Sequence, residues 1–354
     1  MSFFRNIQNS SRQPARQRSI RKEDSAGNTS SSAGSGGLEV EKIVVVTKKT
    51  PLQDLVNRMN SKAQAKFYLE QNRVSFTEYE QGDTQYQQSI EAIKRQLPRT
   101  IKHQFIDRDL LPTYQFGDHD LIVTVGPDGL VVNTAKYLND QLILAVNPDP
   151  ERIDGVLLPF SFEEMGVWIE RVLRGEFVSY YAAMAKATLN DGQTLYALND
   201  LFIGARTHVS ARYQISFDDS SEFQSSSGLI VSTITGSTGW LSSVLTGAWQ
   251  TMRYFNAAQG NQPKVAPVRA LDDECLWFAV REPFTSKTSS ATITFGKLEP
   301  GQELVITSQM PDNGVIFSDG IESDYLAFNS GFIARVGLAE RHANLIRRES
   351  VPPA

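Results

Sequence analysis

The chain has 354 residues, of which 40% are hydrophobic and 21% charged, and its net charge is −5. At roughly 100 to 200 residues per domain, this length predicts about two domains. The composition is that of an ordinary globular protein and excludes fibrous and wholly disordered classes. The acidic balance argues against a dedicated nucleic-acid binder, which normally carries a basic surface. We therefore expect no nucleic-acid partner.

Cysteine and histidine usage limits the possible sites further. Cys275 is the one cysteine, so neither an intramolecular disulfide nor a cysteine-based metal cluster can form. The four histidines are not paired at the spacing that a helical metal site needs. No apolar stretch approaches the ~18 residues of a membrane helix, so we expect no membrane insertion. A reducing, intracellular compartment is the natural setting.

The first 38 residues differ from all that follow, because they are rich in Ser, Arg, Gln and Gly. Residues 30–37 have the composition of a flexible linker, and we predict that 1–38 is a disordered tail. Residues 1–22 carry basic residues and no acidic ones, a composition also typical of organelle transit peptides. The sequence thus favours the cytoplasm if the tail is only solvated, and the mitochondrial matrix if it is cleaved on import.

Residues 39–160 show an alternation of strands and helices. Short apolar runs, typical of parallel strands buried on both faces, occupy residues 43–46, 121–125 and 142–146. An apolar stripe at helical spacing is formed by Tyr86, Ile90, Ile93 and Leu97. Residues 131–138 are helix-like and follow the second apolar run. We therefore predict an α/β domain with a parallel sheet over 39–160.

Residues 161–330 are predicted to form a mainly-β domain. A connecting helix is predicted by Phe162, Met165, Ile169 and Val172, with Gly175 as its C-cap. Alternation over 209–217 predicts a half-buried strand, and alternation over 291–306 around a central turn predicts a β-hairpin. Residues 331–354 are predicted as a separate C-terminal segment. One alternative for this segment is that it returns to the first domain.

The strand–turn–helix segment 121–138 is the first candidate site. Its turn is Gly126-Pro127-Asp128-Gly129. A glycine turn before a helix presents backbone N–H groups and the positive end of the helix dipole to an anion, usually phosphate. Asp128 would then need another task, such as accepting a proton from an attacking hydroxyl. Taken alone, the tetrapeptide favours an ordinary β-turn.

Two further segments could contact a nucleotide. Residues 232–240 concentrate hydroxyls and glycines that suit a ribose or phosphate, and Trp240 could stack on a base. The alternative is a polar turn with Trp240 in the core. Asn199 and Asp200 place an amide beside a carboxylate, which can hold both hydroxyls of a ribose. By itself, Asn-Asp more often marks a turn.

Taken together, the motifs resemble those of the NAD kinase family, and most closely its mitochondrial-type branch. The matching segments are residues 44–49, 125–129, 145–152, 174–177, 197–204, 226–230, 235–240 and 281–284. Each piece is weakly specific, but their combined order is highly specific, and the resemblance spans residues 41–340.

The resemblance implies a fold with an N-terminal Rossmann-like parallel α/β domain and a mainly-β, dinucleotide-binding C-terminal domain. It implies transfer of the γ-phosphoryl of ATP, with Mg²⁺, to the 2′-hydroxyl of the adenosine ribose of NAD. It gives Asp128 the role of general base, and Asn199 and Asp200 that of holding the dinucleotide. The other binding residues that it implies are Gly126, Gly129, Thr235, Gly236, Ser237, Thr238, Gly239 and Trp240. It implies no particular Mg²⁺ ligand, and it implies a homodimer or homotetramer.

The chain departs from the family motif at three positions. Pro127 and Leu130 replace a glycine and a threonine, which removes one N–H and one hydroxyl from the turn. Asp200 replaces the usual glutamate. These changes keep open an alternative, a non-catalytic NAD(P)-binding protein on a degenerate kinase fold. A third hypothesis, a lipid or sphingoid kinase, is disfavoured by the segments 147–152 and 197–204. The phosphoryl donor and the choice between NAD and NADH stay open.

Overall fold

A computed structural model of the chain describes residues 39–257, 260–261 and 274–348. The predicted disordered tail, residues 1–38, lies outside the described residues. The α-helices of the described ranges are α1 Pro51–Met59, α2 Lys62–Gln71, α3 Phe76–Gln96, α4 Asp128–Ala135, α5 Met165–Leu173 and α6 Trp240–Tyr254. Short 3₁₀ helices occupy Arg108–Thr113 and Thr235–Thr238. None of the helices in this part of the chain is both long and apolar enough to cross a membrane.

The strands fall into two sheets. They are β1 Lys42–Thr47, β2 Lys102–Asp107, β3 Asp120–Val125, β4 Leu142–Asn147, β5 Phe160–Ser161, β6 Val178–Leu189, β7 Thr194–Ala197, β8 Asp200–Ala205, β9 Ala211–Phe217, β10 Ser220–Ser226, β11 Leu229–Thr233, β12 Leu276–Val280, β13 Phe295–Leu298, β14 Leu304–Ser308, β15 Gly314–Ser318, β16 Ile321–Ala327 and β17 Ile333–Arg347.

The parallel part of the first sheet has the order β2-β1-β3-β4. All six residues of β3 are buried, because α3 and α5 cover one face of these strands and α4 covers the other. The helix stripe predicted around Ile90 and Ile93 lies in α3 and packs against this sheet. After α5, Gly175 has a φ of +74°, as expected of a residue that ends a helix. The predicted α/β arrangement is confirmed.

The second half of the chain is mainly antiparallel. The second sheet has the order β13-β12-β11-β8-β15-β16, and its strands pair antiparallel throughout. Apolar side chains from this sheet and from β6, β9, β14 and β17 form one core, with Tyr213 and Phe278 among its largest buried members. This confirms the predicted mainly-β half. The domain boundaries at 160 and 330 stay predictions.

The C-terminal strand joins the two kinds of pairing in the first sheet. β17 pairs parallel with β4, with Asn344 opposite Leu142, and antiparallel with β6 and β14. Residues 349–354 lie outside the described residues. Strand β17 therefore connects the parallel strands of the first half to the antiparallel strands of the second.

The predicted β-hairpin over 291–306 is wrong. Strand β13 pairs with β12 in the second sheet, whereas β14 pairs with β9 and β17 in the first. Leu298 and Leu304, on either side of the turn, are both buried in the core between the sheets. The turn thus carries the chain from one layer to the other. Alternation identifies a half-buried strand but not the sheet that it joins.

Candidate functional site

The segment with Asp128 is a direct junction between a strand and a helix. Strand β3 ends at Val125, and α4 already begins at Asp128, three residues before the predicted start at 131. Pro127 is the N-cap residue, with φ −71° and ψ 168°, and no side chain of the described part of the chain caps the helix. The first N–H groups of any α-helix have no acceptor within it. Here they include those of Asp128 and the exposed Gly129.

Leu130 belongs to the core. It is 1% exposed and packs with Val131 and the apolar residues of the parallel sheet. A Cβ at Gly126 would lie 2.8 Å from Leu130 Cδ2, so the buried Gly126 gives this side chain its room. The position that carries a threonine in the family motif is therefore used for packing in this chain.

The Asp128 carboxylate is oriented by a backbone group from a distant loop. Its Oδ1 accepts a hydrogen bond of 2.7 Å from the Leu157 N–H. Asn147 shapes that loop, because its amide donates to the Ile153 carbonyl and its Oδ1 accepts from the Asp149 N–H, both at 2.9 Å. Asp128 is half-buried. With Oδ1 held, the carboxylate can offer Oδ2 to another group.

Asn199 and Asp200 lie where β7 passes into β8. Asp200 is 9% exposed, and its Oδ1 accepts no hydrogen bond from the described residues. Burial raises the pKa of Asp200 to about 6, and a hydrogen bond from Ser232 offsets this only in part. An unpaired buried carboxylate oxygen is costly and suits a site where a ligand hydroxyl supplies the missing donor.

The loop 235–239 packs directly on Asn199. The Thr233 N–H donates to the Asn199 carbonyl at 2.9 Å, and a Cβ at Gly236 would lie only 2.3 Å from that oxygen. Gly236 and Ser237 are buried, whereas Thr238 and Gly239 are exposed. The remaining loop residue, Thr235, is half-buried. The structure thus brings together two segments that the sequence singled out separately.

Trp240 is half-buried, since it packs against the apolar cluster around Ile230 and also lines a cavity. Its ring stacks on that of Phe202, with centroids 5.6 Å apart and an interplanar angle of 11°. The Arg281 guanidinium lies 5.3 Å from the Trp240 ring centroid. These three residues and Ser227 line a cavity of about 410 Å³. Four of the segments that resemble NAD kinases therefore meet at one cavity.

Asp319 contributes to this region and was missed from the sequence. It follows β15, and its carboxylate accepts three backbone N–H groups: Asn199 at 2.7 Å, Asp200 at 3.2 Å and Leu198 at 3.2 Å. Asp319-Gly320 follows an apolar run, just as Asp128-Gly129 does, and that likeness could have identified it. Leu157 was also missed, and because it acts through its backbone N–H no side-chain pattern indicates it.

Helix α4 is tied to the turn that carries Asp319. Lys136 directly follows α4, and its side chain is only 2% exposed. Its Nζ lies 2.8 Å from Asp324 Oδ2 and 3.3 Å from Ser318 Oγ, and the Tyr137 hydroxyl donates to Asp324 at 2.7 Å. Partial burial acts to raise the pKa of Asp324, but the hydrogen bonds from Lys136 and Tyr137 hold it below its usual value.

The described residues do not form a metal cage. No group of three or more His, Cys, Asp or Glu side chains able to hold a metal ion occurs among them. Mg²⁺ usually keeps several waters and binds through one or two carboxylates together with substrate phosphates. The residues present therefore fit a magnesium ion that arrives with a nucleotide better than one bound by protein ligands alone.

No protein-family model matches the sequence. Curated relatives are all NAD kinases: that of Chlorobaculum tepidum is 29% identical over 34% of this chain and 43% of its own length. The Geotalea daltonii relative is 30% identical over 34% of this chain and 44% of its own length. The chain thus spans about half the length of the curated relatives it matches, from 43% to 56%.

Solved structures show the same fold. The yeast NADH kinase in complex with NADH aligns with a TM-score of 0.54 at 15% identity, over 88% of this chain and 84% of its own. The NAD kinase from Archaeoglobus fulgidus in complex with ATP aligns with a TM-score of 0.53 at 16% identity, over 87% of this chain and 94% of its own. The predicted fold class is confirmed. The mitochondrial-type branch stays a prediction.

Proposed function

We propose that this chain, whose fold and curated relatives support the NAD kinase family, transfers the γ-phosphoryl group of ATP to the 2′-hydroxyl of the adenosine ribose of NAD. The observation that carries the proposal is the Asn199-Asp200 segment. It presents a buried carboxylate oxygen that has no donor among the described residues, and both the loop 235–239 and Asp319 contact it. A neighbouring amide and carboxylate can bind the two hydroxyls of a ribose.

The phosphate donor would approach the start of α4. The free amides of Asp128 and Gly129 and the positive end of the helix dipole favour the ATP phosphates. Pro127 cannot contribute an N–H, so this end of the helix offers one donor fewer than a glycine there would provide. Mg²⁺, bound to the phosphates, would neutralise their charge and the charge that develops during transfer.

Asp128 would act as the general base. Leu157 holds Oδ1, which leaves Oδ2 to accept the proton of the 2′-hydroxyl as that oxygen attacks the γ-phosphorus. The bond from the γ-phosphorus to the bridging oxygen breaks, and ADP leaves with the electron pair. The products are NADP and ADP, with the proton on Asp128 and then in solvent.

The cavity beside Trp240 would take the part of the dinucleotide beyond the adenosine ribose. It is lined by the stacked Trp240 and Phe202 rings and by Arg281, which suit a flat ring and a phosphate.

Assembly into a homodimer or homotetramer is part of the proposal. Met252, Tyr254 and Phe255, 47%, 82% and 72% exposed, form an apolar patch at the end of α6 that supports it. Light scattering of the purified chain tests this state.

A second candidate function is dinucleotide binding without catalysis. It is favoured by Pro127, which removes an N–H from the phosphate-facing turn, and by the hydrogen bond that already occupies Asp128 Oδ1. On this hypothesis NAD or NADP would bind beside Asn199 and Asp200 with no phosphoryl transfer.

The test is NADP formation by the purified chain with NAD, ATP and Mg²⁺, measured through an NADP-specific dehydrogenase. The same assay is run with NADH, with other nucleoside triphosphates and with polyphosphate as alternative substrates. Turnover that is lost in Asp128→Asn supports the kinase. Dinucleotide binding measured by calorimetry, without turnover from any donor, supports the second candidate instead.

A further inference from the structure

Asp319 binds both the N–H and the carbonyl of Asp200 in the Asn199-Asp200 segment. Its carboxylate accepts the Asp200 N–H, and its own N–H donates to the Asp200 carbonyl at 2.8 Å. The same carboxylate accepts the N–H groups of Leu198 and Asn199. Three consecutive N–H groups and one carbonyl are thus satisfied by a single residue from a distant turn. Without it, those N–H groups would be buried without acceptors, which is costly.

We propose that Asp319 is a positioning residue that holds Asn199 and Asp200 in the geometry that binds the dinucleotide. This inference rests on the proposed function. Asp319 does not need to touch the substrate for this role. By fixing the backbone at Leu198, Asn199 and Asp200, it fixes the positions from which the Asn199 and Asp200 side chains extend.

Asp319 and Gly320 form the two-residue turn of the hairpin between β15 and β16. The φ of Asp319 is +55°, in the left-handed region, and Gly320 follows with φ +71°. Aspartate tolerates this region better than most side chains, but glycine tolerates it best. The register of β15 and β16 also shifts between Phe317 and Ser318, just before this turn. This turn geometry alone explains an Asp-Gly pair, so the positioning role rests on the hydrogen bonds between Asp319 and residues 198–200.

Charged and titratable groups surround Asp319 on each element that packs against its turn. They are Asp200 on β8, Arg108 and Asp109 on the first 3₁₀ helix, Lys136 and Tyr137 after α4, and Glu322 and Asp324 on β16. Burial raises the pKa of Asp319 to about 7, whereas the three N–H groups and the charge of Lys136 act to lower it. A protonated carboxyl accepts hydrogen bonds more weakly than a carboxylate. The affinity for the dinucleotide should therefore fall as the pH falls below about 7.

The test compares Asp319→Gly and Asp319→Asn with matched changes at Asp218. Glycine removes the carboxylate and suits the positive φ, while asparagine keeps one acceptor oxygen. Asp218 also lies in a turn, with φ +49°. Among the described residues, its carboxylate accepts a hydrogen bond only from the Gln302 side chain. Asp218→Gly therefore controls for the backbone change. The first readout is the split between KM for NAD and kcat. The second is hydrogen exchange at the amides of residues 198–200.

We expect KM for NAD to rise about 10-fold or more in Asp319→Gly, with kcat changed by less than about 3-fold. Asp319→Asn should lie between this variant and the wild type. It should lose the part of the rise in KM that sets in near pH 7 and keep the part near pH 6 that belongs to Asp200. Asp218→Gly should match the wild type in both readouts. An unchanged KM in both Asp319 variants, with exchange at 198–200 equal to that of Asp218→Gly, would overturn the inference while the kinase proposal stands.

The exchange readout also separates this inference from the proposed function. If the wild type forms no NADP from any donor, the kinase proposal fails. Faster exchange at 198–200 in Asp319→Gly than in Asp218→Gly, together with weaker calorimetric binding of NAD, would then still support positioning. Equal exchange rates would overturn it. Asp319→Asn keeps the comparison possible if the glycine variant does not fold.

Discussion

Two Asp-Gly pairs follow buried strands in this protein and are used in opposite ways. Asp128 opens helix α4, and one of its carboxylate oxygens accepts one backbone N–H. Asp319 sits in a turn with φ +55°, and its carboxylate accepts three. One oxygen of the Asp128 carboxylate can still accept a proton, whereas both oxygens of the Asp319 carboxylate accept backbone N–H groups. The dipeptide alone therefore does not indicate function. What decides is how many protein donors reach the carboxylate.

The same comparison applies to the two neighbours Asp200 and Asp319. Burial raises the pKa of both, to about 6 and about 7. Asp319 is compensated by three N–H groups, but Asp200 Oδ1 has no donor among the described residues. An energetic cost that the protein offsets only in part points to a ligand, and it makes Asp200 the residue where stability and binding should conflict.

The largest effect is expected from removing the carboxylate that keeps a free oxygen. Asp128→Asn should lower kcat by about 10² to 10⁴, because the 2′-hydroxyl loses its proton acceptor. The dissociation constant for NAD should change by less than about 3-fold, since binding rests on the other segment. Steady-state kinetics and calorimetry measure both. Asp118→Asn, at an exposed aspartate, is the control. A variant that retains most of its kcat would show that Asp128 is not the base.

Asp200→Asn should stabilise the protein while it weakens binding. The pKa of Asp200 is raised from 3.8 to about 6, so the folded state holds a proton that the unfolded state releases between these values. The destabilisation is absent below about pH 4 and complete above about pH 7. Asp200→Asn should therefore add up to about 3 kcal/mol to the free energy of unfolding at pH 8 and little at pH 4.

Urea unfolding from pH 4 to pH 8 measures this change, and calorimetry should show weaker NAD binding in the same variant. The control is Asp191→Asn. Hydrogen bonds from Gln193 hold the pKa of the exposed Asp191 below its usual value, so its loss should act in the opposite direction. A loss of stability in Asp200→Asn at pH 8 would mean that the carboxylate is compensated within the protein after all.

Lys136→Met should weaken the connection between α4 and the Asp319 turn. Removing one partner of a buried ion pair leaves the other uncompensated, and Asp324 is 36% exposed, so we expect a loss of about 1 to 3 kcal/mol. Because the charge of Lys136 lowers the pKa of Asp319, its removal should also move the pH dependence of KM for NAD upward. Lys62→Met, at an exposed pair with Glu80, should cost less than about 1 kcal/mol. Equal losses in the two variants would contradict this order.

The sequence predicted what depends on local pattern and missed what depends on long-range pairing. Runs such as 121–125 are apolar because both faces are covered, so the strand could be located from its own residues. The segment 291–306 shows the limit, since two adjacent strands with the same alternation joined different sheets. Leu157 shows another limit: it orients Asp128 through a backbone N–H that every residue except proline possesses.

The smallest effect concerns the residue that distinguishes the Asp128 turn from the family motif. Pro127→Gly restores one of the four N–H groups that a helix start leaves free, where ATP phosphate is proposed to bind. It also frees the unfolded backbone, which should cost about 0.4 to 1 kcal/mol of stability. KM for ATP should fall about 3-fold with little change in KM for NAD. Pro311→Gly, at an exposed proline, should show a stability loss without a change in KM for ATP. If KM for ATP stays constant in Pro127→Gly, the N–H that proline removes never faces the phosphate, and the turn works without it.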